Sequence, residues 1–258
     1  MKLHPHISLL LIPVHVIFIV SLFYINFNLT LLLSIFLLWI VLGGMGLEIG
    51  FHRSLSHMQY NIHPVYEKFL CFLGCFTMNG SPIFWRAMHN GYHHPHPETH
   101  RDFHTPKFKG KFFAYVGYIQ TLHKIKYIGC RHLLSDRFHT FLDKFYIFVI
   151  WATVALVFLI SFPAGFVFVT TMIICFHQTA LINILCHGSN LGYRNYETRD
   201  ESRNIKWFSF FTFGQGLHNN HHYKPNAFNC AMKPGELDIG YTLSKLIGLT
   251  INRNIKEK

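Results

Sequence analysis

The sequence predicts an all-α integral membrane protein, with four transmembrane helices in two hairpins and a cytosolic helical cap in which histidines cluster. Three observations carry that reading. Half of the 258 residues are hydrophobic, aromatics reach 17% and charged residues only 14%, too few charges for a soluble domain of this length. The apolar mass falls into four windows, each near the roughly 20 residues a helix needs to cross a hydrocarbon core. Outside or between those windows lie three histidine clusters, His52-Arg-Ser-Leu-Ser-His57, His89-Asn-Gly-Tyr-His93-His94 and His218-Asn-Asn-His221-His222.

The expected spans are Ile7 to Ile25, Leu29 to Leu47, Tyr146 to Phe162 and Gly165 to Leu185. Asn26, Phe27 and Asn28 join the first pair and Pro163 and Ala164 the second; neither turn carries a charge, so each pair reads as a tight hairpin. Of the 23 Lys and Arg residues, 12 lie between Gly50 and Lys144, 10 follow Cys186 and only Lys2 precedes the first span. By the positive-inside rule the segments 50–145 and 186–258 are cytoplasmic, as are both termini, in an endoplasmic reticulum or bacterial inner membrane. All three clusters then share one side. Lys2 and the apolar run after it resemble a signal peptide, but no small-residue cleavage site follows, so the first span is expected to be retained.

Between the spans, Phe69 to Phe76 is apolar but too short to cross, and Asn79-Gly80-Ser81-Pro82 interrupts it, so it should lie in the interface or cap the bundle. Trp207 to Phe213 reads the same way, and Tyr115 to Tyr146 as amphipathic surface helices. The six cysteines show no paired metal spacing and fit apolar packing in a reducing compartment. A net charge of +11 without a basic helix points away from nucleic acid and towards anionic lipid or an acidic protein partner. Residues 1–258 read as a single domain without internal repeats beyond the hairpins.

Spacing decides what the clusters can do. On an α-helix, residues three and four apart share a face, so His89 and His93 should converge, as should His218, His221 and His222. His52 and His57 are five apart and would point about 140° apart on an ideal helix. His187 ends the fourth span, with Asn183 one turn earlier on the same face. Taken singly, any of these histidines is more often a surface or core residue than a ligand; three clusters on one side reverse that weighting. His4, His6, His15, His63, His123, His132, His139 and His177 read as structural, with His96, His100 and His104 intermediate. The 27 phenylalanines read as core or lipid-facing. The clustered histidines are too many for one ion, so two metals are expected, and thiolate-free imidazole ligation suits iron, zinc or copper alike.

The pattern H-x4-H, H-x3-H-H and H-x2-H-H resembles the membrane-bound fatty acid desaturases, and more narrowly their stearoyl-CoA, or delta-9, branch. Similar too are the run Glu98-Thr99-His100-Arg101-Asp102-Phe103-His104-Thr105-Pro106, the run Leu133 to Arg137, Cys186-His187-Gly188, and Gly214 to His222. The resemblance covers nearly the whole chain. It implies a cap holding two irons, with metal ligands at His52, His57, His89, His93, His94, His187, His218, His221 and His222, and Asn183 approaching one metal through water. It implies further that two electrons and O2 remove two hydrogens from adjacent methylenes of a long acyl chain, carried as acyl-CoA, acyl-lipid or acyl-ACP, leaving a cis double bond. The sequence departs from the branch in the extra residue after His89, in Met88 where acyl-CoA desaturases commonly carry Asp, and in Gln215 and Leu217 where Glu and Trp are usual. No His-Pro-Gly-Gly haem motif or nucleotide-binding glycine loop is present, so the donor is expected to be a separate acidic cytochrome b5 or ferredoxin. The alternatives are a hydroxylase or other tailoring oxygenase on the same scaffold and, more remotely, a histidine-rich metal transporter, against which the nearly pure apolar character of the spans argues.

Overall fold

The computed structural model of this chain describes residues 3–251. Lys2, Arg253, Lys256 and Lys258, which enter the charge argument, lie outside the described residues. The helices, in order, are α1 (Ile7–Ser21), α2 (Leu29–Ser56), α3 (Pro64–Cys75), α4 (82–93), α5 (Pro106–Tyr115), α6 (Arg131–Leu134), α7 (Arg137–Lys144), α8 (Tyr146–Ile160), α9 (Phe162–Cys186), α10 (Lys206–Phe211), α11 (His218–Tyr223) and α12 (Ile239–Leu246). A 3₁₀ segment, Gly117–Lys124, precedes α6, and β1 (Tyr60–Asn61) pairs antiparallel with β2 (Thr250–Ile251).

By length and composition, α2 and α9 suffice to cross a membrane. The expected third span is α8, whose 15 residues reach about 22 Å at ~1.5 Å per residue; it continues α7 across a bend of 77°. The expected first span is α1, a shorter apolar helix. The second hairpin turns one step earlier than the sequence suggests. Pro163 and Ala164 belong to the first turn of α9, where a proline costs no hydrogen bond, and Ser161 alone makes the turn, capping α9 by accepting from the Ala164 amide. Asn28 caps α2 in the same way, accepting from Leu31 N at 2.9 Å.

Polar contacts lock the apolar helices together. Pro13 has no N–H for the carbonyl one turn before it, that of Leu9, and the Trp151 indole of α8 donates to that oxygen at 2.7 Å. His15 and His177 meet at 3.1 Å, and Tyr115 of α5 lies 2.5 Å from the far side of the His177 ring, so α1, α9 and α5 are tied at one point. The helix α9 is buried along most of its length, whereas α1, α2 and α8 present Val16, Ile19, Leu33, Phe148 and Leu159 outward.

The second half of α2, Ile40–Ser56, is wound wide, as a π-helix. Its flank is stripped to glycine where α3 lies across it. A Cβ on Gly46 would sit 2.6 Å from the Gly74 amide nitrogen, and one on Gly50 would sit 2.9 Å from the Leu70 carbonyl. Thus α3 packs backbone to backbone on α2 through Leu70, Cys71 and Gly74 while Val65 and Phe69 face outward. In α10, Phe208 is buried while Trp207, Phe210 and Phe211 are exposed. The C-terminal segment is fastened by Arg53, fully buried, which donates to Glu48 at 2.5 Å, Asp238 at 2.7 Å and the Phe228 carbonyl at 3.1 Å. The same Asp238 accepts from Cys230 N and caps α12 through Tyr241 N. All six cysteines are free and buried.

Candidate metal centre

The nine sequence-predicted histidines come together in two adjoining groups, though not in the pairs that α-helical spacing suggests. His52, His57, His89 and His221 form one group, and His93, His187, His218 and His222 the other, with the potential ligand atoms of each within 4.8 Å of one another. His94 completes the first, its Nε2 at 2.9 Å from that of His89 and 3.0 Å from that of His221.

Wide helical turns explain the re-pairing. In a π turn the hydrogen bond runs from i to i+5, bringing residues five apart onto one face. The His57 amide donates to the His52 carbonyl at 3.2 Å, and the His94 amide to the His89 carbonyl at 3.0 Å. His52 and His57 therefore converge instead of diverging, with ring centroids 4.9 Å apart. Equally, His89 pairs with His94 and not with His93, which turns to the second group. The extra residue of the second box is absorbed by the π segment Ala87–His93, giving both boxes the same five-residue step. In α11, His218 and His222 share the second group while His221 faces the first.

The rings are aimed by partners behind them. His52 Nδ1 lies 3.0 Å from Glu48, His93 Nδ1 3.0 Å from Asp102, His187 Nδ1 3.1 Å from Glu98 and His222 Nδ1 2.8 Å from Asp200, while His218 Nδ1 donates to the Gln215 carbonyl at 3.2 Å. A carboxylate or carbonyl can only accept, so each of these Nδ1 atoms carries the proton, and a neutral ring then turns the lone pair of Nε2 inward. Yet the Nε2 atoms of His187 and His218 face each other at 2.8 Å. Two lone pairs so placed repel unless a cation lies between them. The donor set therefore fits metal ions, and the fit follows from ring orientation as well as residue type.

Electrostatics agree with this at every shifted ring of the two groups but that of His93. Burial, with the mutual repulsion of neighbouring rings, holds His57, His89, His94, His218 and His221 well below the usual histidine pKa, and His222 at about 4. Burial also opposes protonation of His93, but the Asp102 carboxylate outweighs it and raises the pKa. Burial would lift Asp102 as well; His93 and His104 hold it well below the carboxylate range. Glu98 takes a left-handed backbone, φ 55°, and also accepts from the Glu201 amide at 3.0 Å, so its position is bought with strain.

A chamber of about 50 Å³ borders both groups, lined among others by Trp85, Met88, Asn183 and Gln215. Asn183 lines this chamber and points its amide towards the Ala114 carbonyl at 3.5 Å. Of the residues read as intermediate, His104 is half-buried against Asp102 at 3.2 Å, whereas His96 meets Arg101 and His100 stacks on Phe108. The four supporting carboxylates, Glu48, Glu98, Asp102 and Asp200, were not assigned this role from sequence. A cue existed for Glu48, a lone acid beside an apolar window and one α-helical turn before His52.

A family model for fatty acid desaturases matches residues 28–228. The chain belongs to the fatty acid desaturase family. Its relatives include delta-9 acyl-lipid desaturase 2 of Arabidopsis thaliana, 32% identical over 82% of this chain and 71% of the relative. They also include the sn-1 stearoyl-lipid 9-desaturase of Anabaena variabilis, 30% identical over 87% and 84%, and the icosanoyl-CoA 5-desaturase of Limnanthes douglasii, 30% identical over 87% and 64%. The desaturase is thus a membrane-bound oxidoreductase acting on acyl chains. At its positions of departure from the stearoyl-CoA pattern, Met88 and Gln215 are buried in the chamber wall, and Leu217 is fully buried at the N-terminus of α11.

Proposed function

We propose that this desaturase is a single-domain, di-iron, O2-dependent enzyme that sets a cis double bond of delta-9 type into a long acyl chain. The observation that carries the reading is the pair of inward-facing imidazole groups bordering one chamber at the end of apolar helices. One position is held by His52, His57, His89, His94 and His221, the other by His93, His187, His218 and His222, with Asn183 reaching the second through water. When bound, the irons supply the power to activate dioxygen that no side chain possesses. The balance is one O2, two electrons, two protons and the two hydrogens of adjacent methylenes, giving the alkene and two waters.

The protein's own contribution is placement. Glu48, Glu98, Asp102, Asp200 and the Gln215 carbonyl fix the ligand rings, and the narrow chamber, with Phe84, Trp85, Met88 and Ile182 in its wall, limits what reaches them. Helices α1, α2, α8 and α9 form four spans in two hairpins beneath a cytosolic cap, with α1 and α8 completing the bundle that α2 and α9 begin. An acyl-lipid substrate is favoured by the names of two of the relatives and by Met88 in place of an acid. Electrons come from a separate acidic donor, a cytochrome b5 or ferredoxin. Expression in a desaturase-deficient host, with mass spectrometry of each lipid class, tests the reading: loss of two hydrogens at carbon 9 supports it, and gain of oxygen would identify a hydroxylase. His221→Ala should abolish the product while the protein still inserts.

A further inference from the structure

The two histidine groups are alike in ligand type but differ in the charge around them. Behind the four-histidine group stand three buried carboxylates, Asp102, Glu98 and Asp200, at 3.0, 3.1 and 2.8 Å from their rings. Their nearby cations are weak counterweights. Lys107 lies 3.6 Å from Glu98 with half its side chain in solvent, and Arg194 donates to the Asp200 main-chain carbonyl and the Thr198 hydroxyl, not to the carboxylate.

Among the described residues, the five-histidine group has one supporting carboxylate, Glu48, and its second oxygen is held by the buried Arg53 at 2.5 Å. Asp238 balances Arg53 from the far side, where it meets Cys230 N and Tyr241 N and no histidine. A second buried guanidinium, that of Arg86, donates to the Leu55 and Ser56 carbonyls beside His57. The surroundings are therefore strongly anionic at one position and near neutral at the other. In a buried, low-dielectric site such fixed charge is poorly screened and bears directly on the charge of a bound ion.

We propose that the two iron positions are unequal in redox character: the four-histidine position retains the ferric state, and the five-histidine position is reduced first. This inference rests on the di-iron reading. Its test is a reductive titration of the iron-loaded protein with a one-electron chemical reductant, each equivalent converting one ferric ion to ferrous, followed by potential and by 57Fe Mössbauer spectroscopy. Two separate steps are expected, with one ferric and one ferrous signal after the first. Asp200→Asn keeps an acceptor for His222 but removes charge, so it should raise the second potential and bring the steps together. Glu48→Gln should raise the first and move them apart.

A purely structural role would not give opposite displacements in the two variants. Reduction of both ions in a single step, or wider separation in Asp200→Asn, would overturn the proposal. Should Glu48→Gln fail to fold, Glu98→Gln must reproduce the narrowing seen with Asp200→Asn, and its failure to do so overturns the proposal equally. Metal analysis before the titration separates the two readings: a protein that takes up no iron refutes the di-iron assignment itself.

Discussion

At the scale of single residues, the site depends on imidazoles turned inward, several of them kept neutral by burial. Removing a carboxylate from behind a ligand ring typically costs 10–100-fold in metal affinity, so Glu98→Ala should lower iron retention against a chelator by about that factor. The ring environments also set a pH dependence for the metal-free protein. His57, His89, His94, His218 and His221 have folded-state pKa values below that of an unfolded histidine. Their contribution is fully present above about pH 6.5, and below it the unfolded chain takes up protons that the fold refuses. The thermal midpoint of chelator-stripped protein should fall as pH is lowered from about 8 to about 5; an unchanged midpoint would contradict the neutral-ring assignment. Most of these residues were legible in the sequence, because ligand type and clustering survive without coordinates. Their partners were not, since Asp200 stands 22 residues from the ring it orients and Glu98 89 residues from His187.

At the scale of elements, helix geometry was the part that sequence spacing misjudged. Periodicity arguments assume 3.6 residues per turn, and the π turns at His52 to His57 and His89 to His94 break that assumption at the two places where ligands must meet. The apolar windows themselves were legible, and the second hairpin was misplaced only because Pro163 serves as a helix start as readily as a turn. Two predictions belong here. Gly46→Ala drives a methyl into the α3 backbone and should destabilise the protein by about 1–3 kcal/mol in detergent melts, without altering any ligand. Asp136 caps α7, accepting from the amides of Phe138 at 2.9 Å and His139 at 3.1 Å, so Asp136→Ala should cost about 1 kcal/mol. Slight burial works against ionisation of this carboxyl, but Lys68 and His139 prevail and hold its pKa at about 2. Its stabilisation is therefore complete above about pH 4 and is lost as pH falls towards 2, a decline the alanine variant should not share.

At the scale of the whole molecule, charge and assembly matter most. Lys107, Lys109 and Lys111 lie exposed on α5, near a polar cleft walled by His187. An acidic donor docking on this side should reduce the protein more slowly as ionic strength rises through about 0.1 M, where the Debye length is about 10 Å; a salt-independent rate in stopped-flow measurements would exclude electrostatic docking.

The centre also joins distant parts of the chain: His52 meets His221 across 169 residues of sequence, and His93 meets His222 across 129. Neither position can close until α11 has been synthesised. A nascent chain on the ribosome would thus present incomplete nests of imidazoles, and stable iron insertion becomes a post-translational event. Protein made without metal should therefore be complete in sequence yet open at both histidine groups.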